Sequence, residues 1–293
     1  MYQDKINRNN KSLSKTPFKK KTFDFKKIKA NSYQMSKTYQ IQSYFNFLKR
    51  STNQHGVHSP FVYDLVTKCF YDKKKHAAYL DIKTYRNKLL KNTASINVTD
   101  LGSGSQVFKT NKRSISKMAK IAGSNYKEAK LLFRLANYFK SNTILELGTS
   151  LGIATQALAL GNPKATITTV EGCPNISAVA ETQFKNFDLK NITIKTGDFA
   201  NVITNLNTKT LDLIYCDGNH TLEATLQYFE LLLPKTHNDT VLIFDDIYWS
   251  KQMTDAWEII KNHPQVTVTI DTYKLGFVFF RKEQAKEHFT IRL

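Results

Sequence analysis

The sequence predicts an α/β fold: a doubly wound, mostly parallel seven-stranded sheet closed by an antiparallel C-terminal hairpin, with helices ahead of it. Three observations predict it. After Ser141, short β-branched or apolar runs alternate with helix-length segments; a glycine turn follows the first run and opens an apolar helix; and the last two runs are joined with almost no spacer. The alternation implies right-handed βαβ units in a parallel sheet. Two strands without room for a crossover must pair antiparallel.

Taken in order, residues 1–34 hold nine Lys, one Arg and two Asp, which places +8 of the net +19 in this tail and leaves +11 for the rest. Its Lys, Asn and Ser content with little apolar periodicity predicts a disordered basic tail able to touch RNA, DNA or anionic lipid. Met35 stands just before the helix-like Tyr39–Leu48. It could start the folded chain and leave the tail a dispensable extension. Residues 35–140 then read as an N-terminal helical cap region. Ser59-Pro60 is a helix start, a side-chain N-cap followed by proline at the first helical position, which puts Phe61, Leu65 and Cys69 on one face. A second helix is expected from Tyr126 to Phe139, where Ala129, Leu132, Phe133, Leu135, Ala136 and Phe139 make an apolar stripe. Between them, Asp100-Leu-Gly-Ser-Gly-Ser105 imitates a cofactor loop, but basic and polar residues follow from Lys109 to Lys120 where an apolar helix should stand. That segment reads as a flexible basic loop near a substrate entrance.

Residues 141–293 carry the sheet. Strands are expected at Thr143–Leu147, Ala165–Val170, Asn191–Lys195, Leu211–Cys216 and Thr240–Phe244, and the hairpin at Val266–Tyr273 with Gly276–Arg281. In such an open sheet a ligand lies beyond the carboxyl ends of the strands, where their order reverses. The first strand runs into Glu146-Leu-Gly148-Thr149-Ser150-Leu-Gly152, whose glycines let backbone approach a ligand. Glu171 closes the second strand, where a carboxylate can accept both ribose hydroxyls of a nucleotide cofactor. Gly197-Asp198-Phe199 follows the third strand, and Asp217-Gly-Asn-His220 the fourth. A glycine turn alone, or a single acid as a turn residue or helix cap, is a common structural feature. Glu146, Glu171, Asp198 and Asp217 at four successive strand ends are harder to explain that way.

With those residues in place, 143–281 resembles the S-adenosylmethionine (SAM)-dependent O-methyltransferases of the catechol and caffeoyl-coenzyme A type. It is also similar to a broad bacterial methyltransferase group with Asp-Gly-x-His after strand four and Asp-Asp after strand five. His55-Gly-Val-His58-Ser-Pro-Phe61 and the C-terminal Gln284–Leu293 resemble uncharacterised methyltransferases of the Bacteroidetes. The resemblance implies a Rossmann-like class I methyltransferase fold in which Glu146, Gly148, Thr149, Ser150, Gly152, Glu171, Gly197, Asp198, Phe199 and Asp217 surround SAM. Asp198 would take the adenine amino group. It further implies that Asp217, Asp245 and Asp246 hold a divalent cation, with magnesium or calcium suited to oxygen-only ligands. The ion would orient an acceptor hydroxyl and lower its pKa. The catechol type carries a lysine three residues after the first metal acid; here His220 stands there, and a histidine can take the proton instead. The alternative is that Asp217 binds only the methionine amino group, Asp245-Asp246 caps the next helix and His220 is structural. Trp249 is expected to wall the acceptor pocket and Trp257 to pack in the core. His55 and His58 are candidate substrate contacts, although the approach to the Ser59 cap already accounts for their segment.

Composition narrows the function. No apolar run reaches membrane-spanning length and no signal peptide follows the basic start, so a soluble cytoplasmic protein without membrane partners is expected. Cys69, Cys173 and Cys216 are too widely spaced for a zinc or disulfide framework and read as reduced core thiols. The leading expectation is methyl transfer to a hydroxyl of a small-molecule acceptor, with a homodimer left open. The basic balance prompts an RNA or nucleic-acid methyltransferase as the alternative. Neither an Asn-Pro-Pro-aromatic motif nor a Pro-Cys nucleophile accompanies it. A non-catalytic SAM-binding protein is a third reading. A nicotinamide dehydrogenase is disfavoured by the hairpin and by Asp217, Asp245 and Asp246.

Overall fold

The expected N-terminal helices form where their caps and apolar faces place them. The computed structural model describes residues 37–99 and 110–293; the basic tail at 1–34, together with Asp100–Ser105 and Lys109 of the predicted basic loop, lies outside the described residues. Helix α1 (Lys37–Arg50) leads into α2 (Pro60–Leu65), whose N-cap Ser59 accepts the Val62 N–H. A π-helical turn at Val66–Phe70 continues α2 and buries Cys69 and Phe70. Then come α3 (Ala78–Leu90), a small antiparallel hairpin of β1 (Ser95–Asn97) and β2 (Lys112–Ser114), and α4 (Ile115–Ile121). Helix α5 (Tyr126–Phe139) starts on a reciprocal capping box between Asn125 and Glu128 and buries Ala129, Leu132, Phe133, Leu135 and Ala136.

The strand–helix alternation follows: β3 (Thr143–Leu147), α6 (Ile153–Gly161), β4 (Thr166–Glu171), α7 (Pro174–Asn186), β5 (Ile192–Thr196), α8 (Phe199–Thr204), β6 (Leu213–Cys216), α9 (Leu222–Leu232), β7 (Val241–Phe244) and α10 (Lys251–Asn262). The chain closes with β8 (Val268–Asp271), β9 (Gly276–Phe279) and β10 (Glu287–Thr290). Spatial order is β10-β8-β9-β7-β6-β3-β4-β5. All neighbours are parallel except β9, which runs against both β7 and β8. The sheet is therefore doubly wound with the expected hairpin, and it holds an eighth strand. β10 pairs parallel with β8; its Glu-His-Phe-Thr sequence buries only Phe289 and so lacks the apolar run that marks the others.

Strand order reverses at β3, which has β4 on one side and β6 on the other. The N-terminal helices pack against the same core. Phe61 and Phe139 meet Phe279, Phe70 meets Phe277, and the Tyr85 hydroxyl donates to the Leu151 carbonyl under the glycine turn. Trp257 is buried, as are all three cysteines, which are free thiols. No described helix is long and apolar enough to cross a membrane.

Among the described residues Glu146, Asp245 and Asp271 are the buried acids, and Glu146 lies deepest in the core. Glu146, the fourth residue of β3, is fully buried, and its Oε2 accepts hydroxyl bonds from Thr155 and Thr169. Thr169 is in turn 2.6 Å from the Thr149 hydroxyl. Its Oε1 has no hydrogen-bond partner among the described residues. Burial pushes the Glu146 carboxyl up to about 8, and the two threonine hydroxyls offset only part of that rise. A folded carboxyl that keeps its proton while the unfolded chain has lost it makes stability fall as pH rises. The window runs from the ordinary carboxylate range up to about 8. Denaturant unfolding of the wild type should lose stability between pH 5 and pH 8, by at most on the order of 5 kcal/mol, and Glu146→Gln should flatten that slope; an unchanged slope would assign it to other groups.

Candidate functional site

Backbone pairing continues one residue past the ends of the central strands. The Gly148 N–H donates to the Val170 carbonyl at 2.9 Å, Asp217 to Leu147 at 2.8 Å, Asp245 to Cys216 at 2.9 Å and Gly197 to Glu171 at 2.9 Å. Glu171, Gly148, Asp217 and Asp245 consequently stand side by side on the carboxyl edge. Gly148 permits this: at φ +101° a Cβ there would fall 1.9 Å from the Asp217 carbonyl oxygen. The turns beyond the strands concentrate left-handed backbone, with Ser150 at φ 48°, Asn219 at 48° and Asp246 at 54° beside Gly152 and Gly197. Such positions cost on the order of 1–3 kcal/mol each and gather where a site is being shaped.

On the β3–β5 side, the Glu171 carboxylate is oriented by two backbone donors, Ser150 N–H at 2.9 Å on Oε2 and Cys173 N–H at 3.0 Å on Oε1. Gly152 opens α6 at φ +77°, with Phe184 and the Tyr85 hydroxyl filling the space a side chain would need. Asp198 is exposed, and its Oδ1 caps α8 by accepting the Asn201 N–H at 2.9 Å. Phe199 is half-buried, its ring centre 5.7 Å from that of Tyr228 and its edge against Gly218. Glu146 departs from the expected row. It lies inside β3, under Thr149, rather than at the strand end.

On the β6–β7 side, Asp217 is half-buried, with Oδ1 3.5 Å from His220 Nε2. The Tyr215 hydroxyl is 3.0 Å from Asp245 Oδ2 and 3.3 Å from Asp217 Oδ2, bridging the two acids. Asp245 is buried and its Oδ1 accepts the Asp246 N–H at 2.8 Å. Lys274 Nζ lies 3.8 Å from Asp245 Oδ2 and 2.7 Å from Glu128 Oε1. Burial, with repulsion from Asp217 and Asp246, holds the Asp245 carboxyl well above the carboxylate range, and burial also raises Asp246. Burial works against charge on Lys274, but Asp245, Asp246 and Glu128 outweigh it and raise the ammonium. His220 is likewise raised, burial being overcome by the hydrogen bond and charge of Asp217.

Trp249 closes this side. Its ring centre is 6.4 Å from that of His220, its N–H donates to the Asp246 carbonyl at 2.8 Å, and its carbonyl accepts Gln40 Nε2 at 3.0 Å. Helix α1 is thereby held over the edge, with the Tyr273 hydroxyl donating to the Gln40 carbonyl at 2.8 Å and Tyr39 to Thr254 at 2.7 Å.

The structure thus brings together Glu171, Gly148, Asp217, His220, Asp245, Asp246 and Trp249. His55 and His58 are exposed, on the segment whose Thr52 bridges Ile291 just beyond β10. That segment lies outside β10, four strand spacings from β7, roughly 19 Å, so the two histidines stand apart from the cluster. Tyr215, Lys274 and Glu128 were not foreseen. Lys274 was recoverable from register: Phe244 faces Gly276, so the two residues after β7 meet the two before β9. The three aspartates do not form a three-ligand metal group, and no group of three His, Cys, Asp or Glu among the described residues could hold an ion. Both Asp245 oxygens are already engaged by the chain's own donors.

Residues 145–247 match the family model of a methyltransferase domain. No curated protein gives a significant match. Among solved structures, the SAH-bound methyltransferase PaMTH1 of Podospora anserina superposes with a TM-score of 0.55 at 14% identity, over 77% of this chain and 97% of its own. The O-methyltransferase TomG of Streptomyces achromogenes, in complex with SAM, gives 0.50 at 14% identity over 74% and 95%. Reversal of strand order at β3, an antiparallel strand inserted next to the last parallel one and the matched segment agree: the chain has the class I methyltransferase fold, and its residues 145–247 are similar to a methyltransferase domain.

Proposed function

We propose that the protein is a SAM-dependent methyltransferase that transfers the methyl group to a hydroxyl oxygen of a small molecule. The observation that carries this reading is the row of carboxylates at one level of the carboxyl edge, Glu171 and Asp217 with Asp198 alongside, set among turns of left-handed backbone. The residues suit the cofactor: the Glu171 carboxylate is held in a fixed orientation by two backbone N–H groups, a geometry fitted to ribose hydroxyls. Asp217 offers negative charge to an amino group, and Glu146 Oε1, buried without a partner among the described residues, lies behind the turn as a further acceptor. Bound SAM supplies an electrophilic methyl group on a sulfonium. The rest of the task belongs to the chain: to hold the acceptor oxygen in line and to accept its proton. In this reading Trp249 walls the acceptor and His220 Nδ1 takes the proton, with Asp217 orienting the imidazole through Nε2. No step runs through a divalent ion, because two of the three carboxylates that the resemblance assigns to it are engaged within the chain, Asp217 by Tyr215 and Asp245 by Tyr215, the Asp246 N–H and Lys274.

Two measurements test the reading. In calorimetry the protein should bind S-adenosylhomocysteine and give no heat with NAD, and Glu171→Ala should weaken that binding about 10- to 100-fold, the scale of hydrogen bonds to a charged acceptor. Binding of NAD in place of the homocysteine nucleoside would overturn the cofactor. Incubation with labelled SAM and a metabolite extract should label a small molecule, and His220→Ala should slow that labelling about 100-fold while leaving S-adenosylhomocysteine affinity within about twofold. Undiminished labelling in His220→Ala would remove it as the base.

A further inference from the structure

The ends of β6 and β7 collect three carboxyl groups, with Asp245 buried and Asp217 half-buried, an arrangement relieved by retained protons or by a nearby positive charge. The chain provides one from a distant point in its sequence. Because β9 runs antiparallel to β7 in the register Phe244–Gly276, the β8–β9 turn returns to the carboxyl edge and sets Lys274 beside Asp245 and Asp246, with the Ile247 N–H donating to the Lys274 carbonyl at 3.3 Å. The turn is closed by the Thr272 N–H donating to the Leu275 carbonyl at 2.9 Å, and Tyr273 takes φ 71° within it. The ammonium is clamped from two elements: Asp245 Oδ2 at 3.8 Å from the sheet, and Glu128 Oε1 at 2.7 Å from the first turn of α5. Glu128 is fixed in its turn, since its Oε2 accepts the Asn125 N–H at 2.9 Å and its Oε1 the Asn125 side-chain amide at 2.5 Å.

We infer that Lys274 is the resident cation of this acid cluster, standing where the related chemistry would call for a divalent ion, and that the chain positions its acceptor hydroxyl without such an ion. The inference rests on the methyltransferase reading only for its second half; the occupancy of the cluster by an ammonium is independent of it. Lys274 is a positioning residue. Its fixed charge offsets the negative charge of the cluster and attracts the acceptor oxygen, while the proton of that hydroxyl passes to His220, the O–CH3 bond forms and the S–CH3 bond of the sulfonium breaks.

Manganese serves as the probe, followed by electron paramagnetic resonance on the full chain with and without S-adenosylhomocysteine. The wild type should leave Mn2+ free in solution. Lys274→Met, which keeps the stem and removes the charge, should bind Mn2+ at least roughly tenfold more tightly than the wild type, and adding Asp245→Asn should abolish the gain. Lys274→Gln, read in the same way, replaces the methionine variant if that one melts. Wild-type Mn2+ binding that Asp245→Asn removes would overturn the inference, and so would a folded Lys274→Met chain that binds no Mn2+. Failure to bind S-adenosylhomocysteine alongside the expected Mn2+ behaviour would instead strike the methyltransferase reading and leave Lys274 in its place.

Discussion

The site depends on how closely β3 and β6 approach at Gly148. A Cβ at that position would collide with the Asp217 carbonyl at 1.9 Å, so any other residue would push the strand ends apart and break the Asp217-to-Leu147 backbone bond that continues the pairing. Everything on the carboxyl edge inherits its height from this contact. Glu171 is level with Gly148 through β4, Asp245 is level with Asp217 through β7, and the loops that carry Ser150, Asn219 and Asp246 leave the sheet from that common line. The parallel sheet acts as a ruler: four segments far apart in sequence deliver their side chains to one plane because their hydrogen-bond registers agree.

Much of this was legible in the sequence. The five parallel strands were marked by runs such as Val241–Phe244, buried on both faces and hence apolar throughout, and α5 was bounded by its capping residues and stripe. Glu171, Asp217, Asp245 and Asp246 could be placed because each directly follows a strand whose end is plain. The misreadings have physical causes. Glu146 follows the same apolar run, but it is one of the strand's own residues, and its side chain turns inward to the threonines. β10 escaped notice because an edge strand needs little apolar sequence; only Phe289 faces the core. Tyr215 looked like another strand residue, and only the pairing of β6 with β7 shows its hydroxyl between two acids. Lys274 sits in a turn, where a charged residue is ordinary, and its partners come from β7 and from α5, which no local pattern connects.

The two halves of the edge are built differently. Around Glu171 and Ser150 the contacts are backbone N–H to carboxylate, made within consecutive βα units, and they tolerate little displacement. Around Asp245 the contacts are made by side chains distant in sequence and gather residues from α1, α5, α9's approach and the terminal hairpin: Gln40, Glu128, His220 and Tyr273 with Lys274. The first half is rigid by covalent proximity. The second is assembled only when the whole chain has folded, so its geometry reports on the integrity of distant packing, including the seating of α1 through Tyr39 and Gln40.

The reversed strand β9 gives this second half an unusual property. Had β9 run parallel to β7, its preceding connection would lie on the opposite rim, and a crossover helix would separate it from β8. Running backwards, it offers a two-residue turn, Tyr273-Lys274, directly at the edge where the acceptor would lie. Both side chains of the turn reach helices: Tyr273 bonds the Gln40 carbonyl and packs against Tyr44 and Phe47 of α1, and Lys274 pairs with Glu128 of α5. Two adjacent turn residues therefore couple the edge beside Asp245 to the seating of α1 and of α5, so that a change of charge or bulk in this turn is felt at the edge and at a helix together.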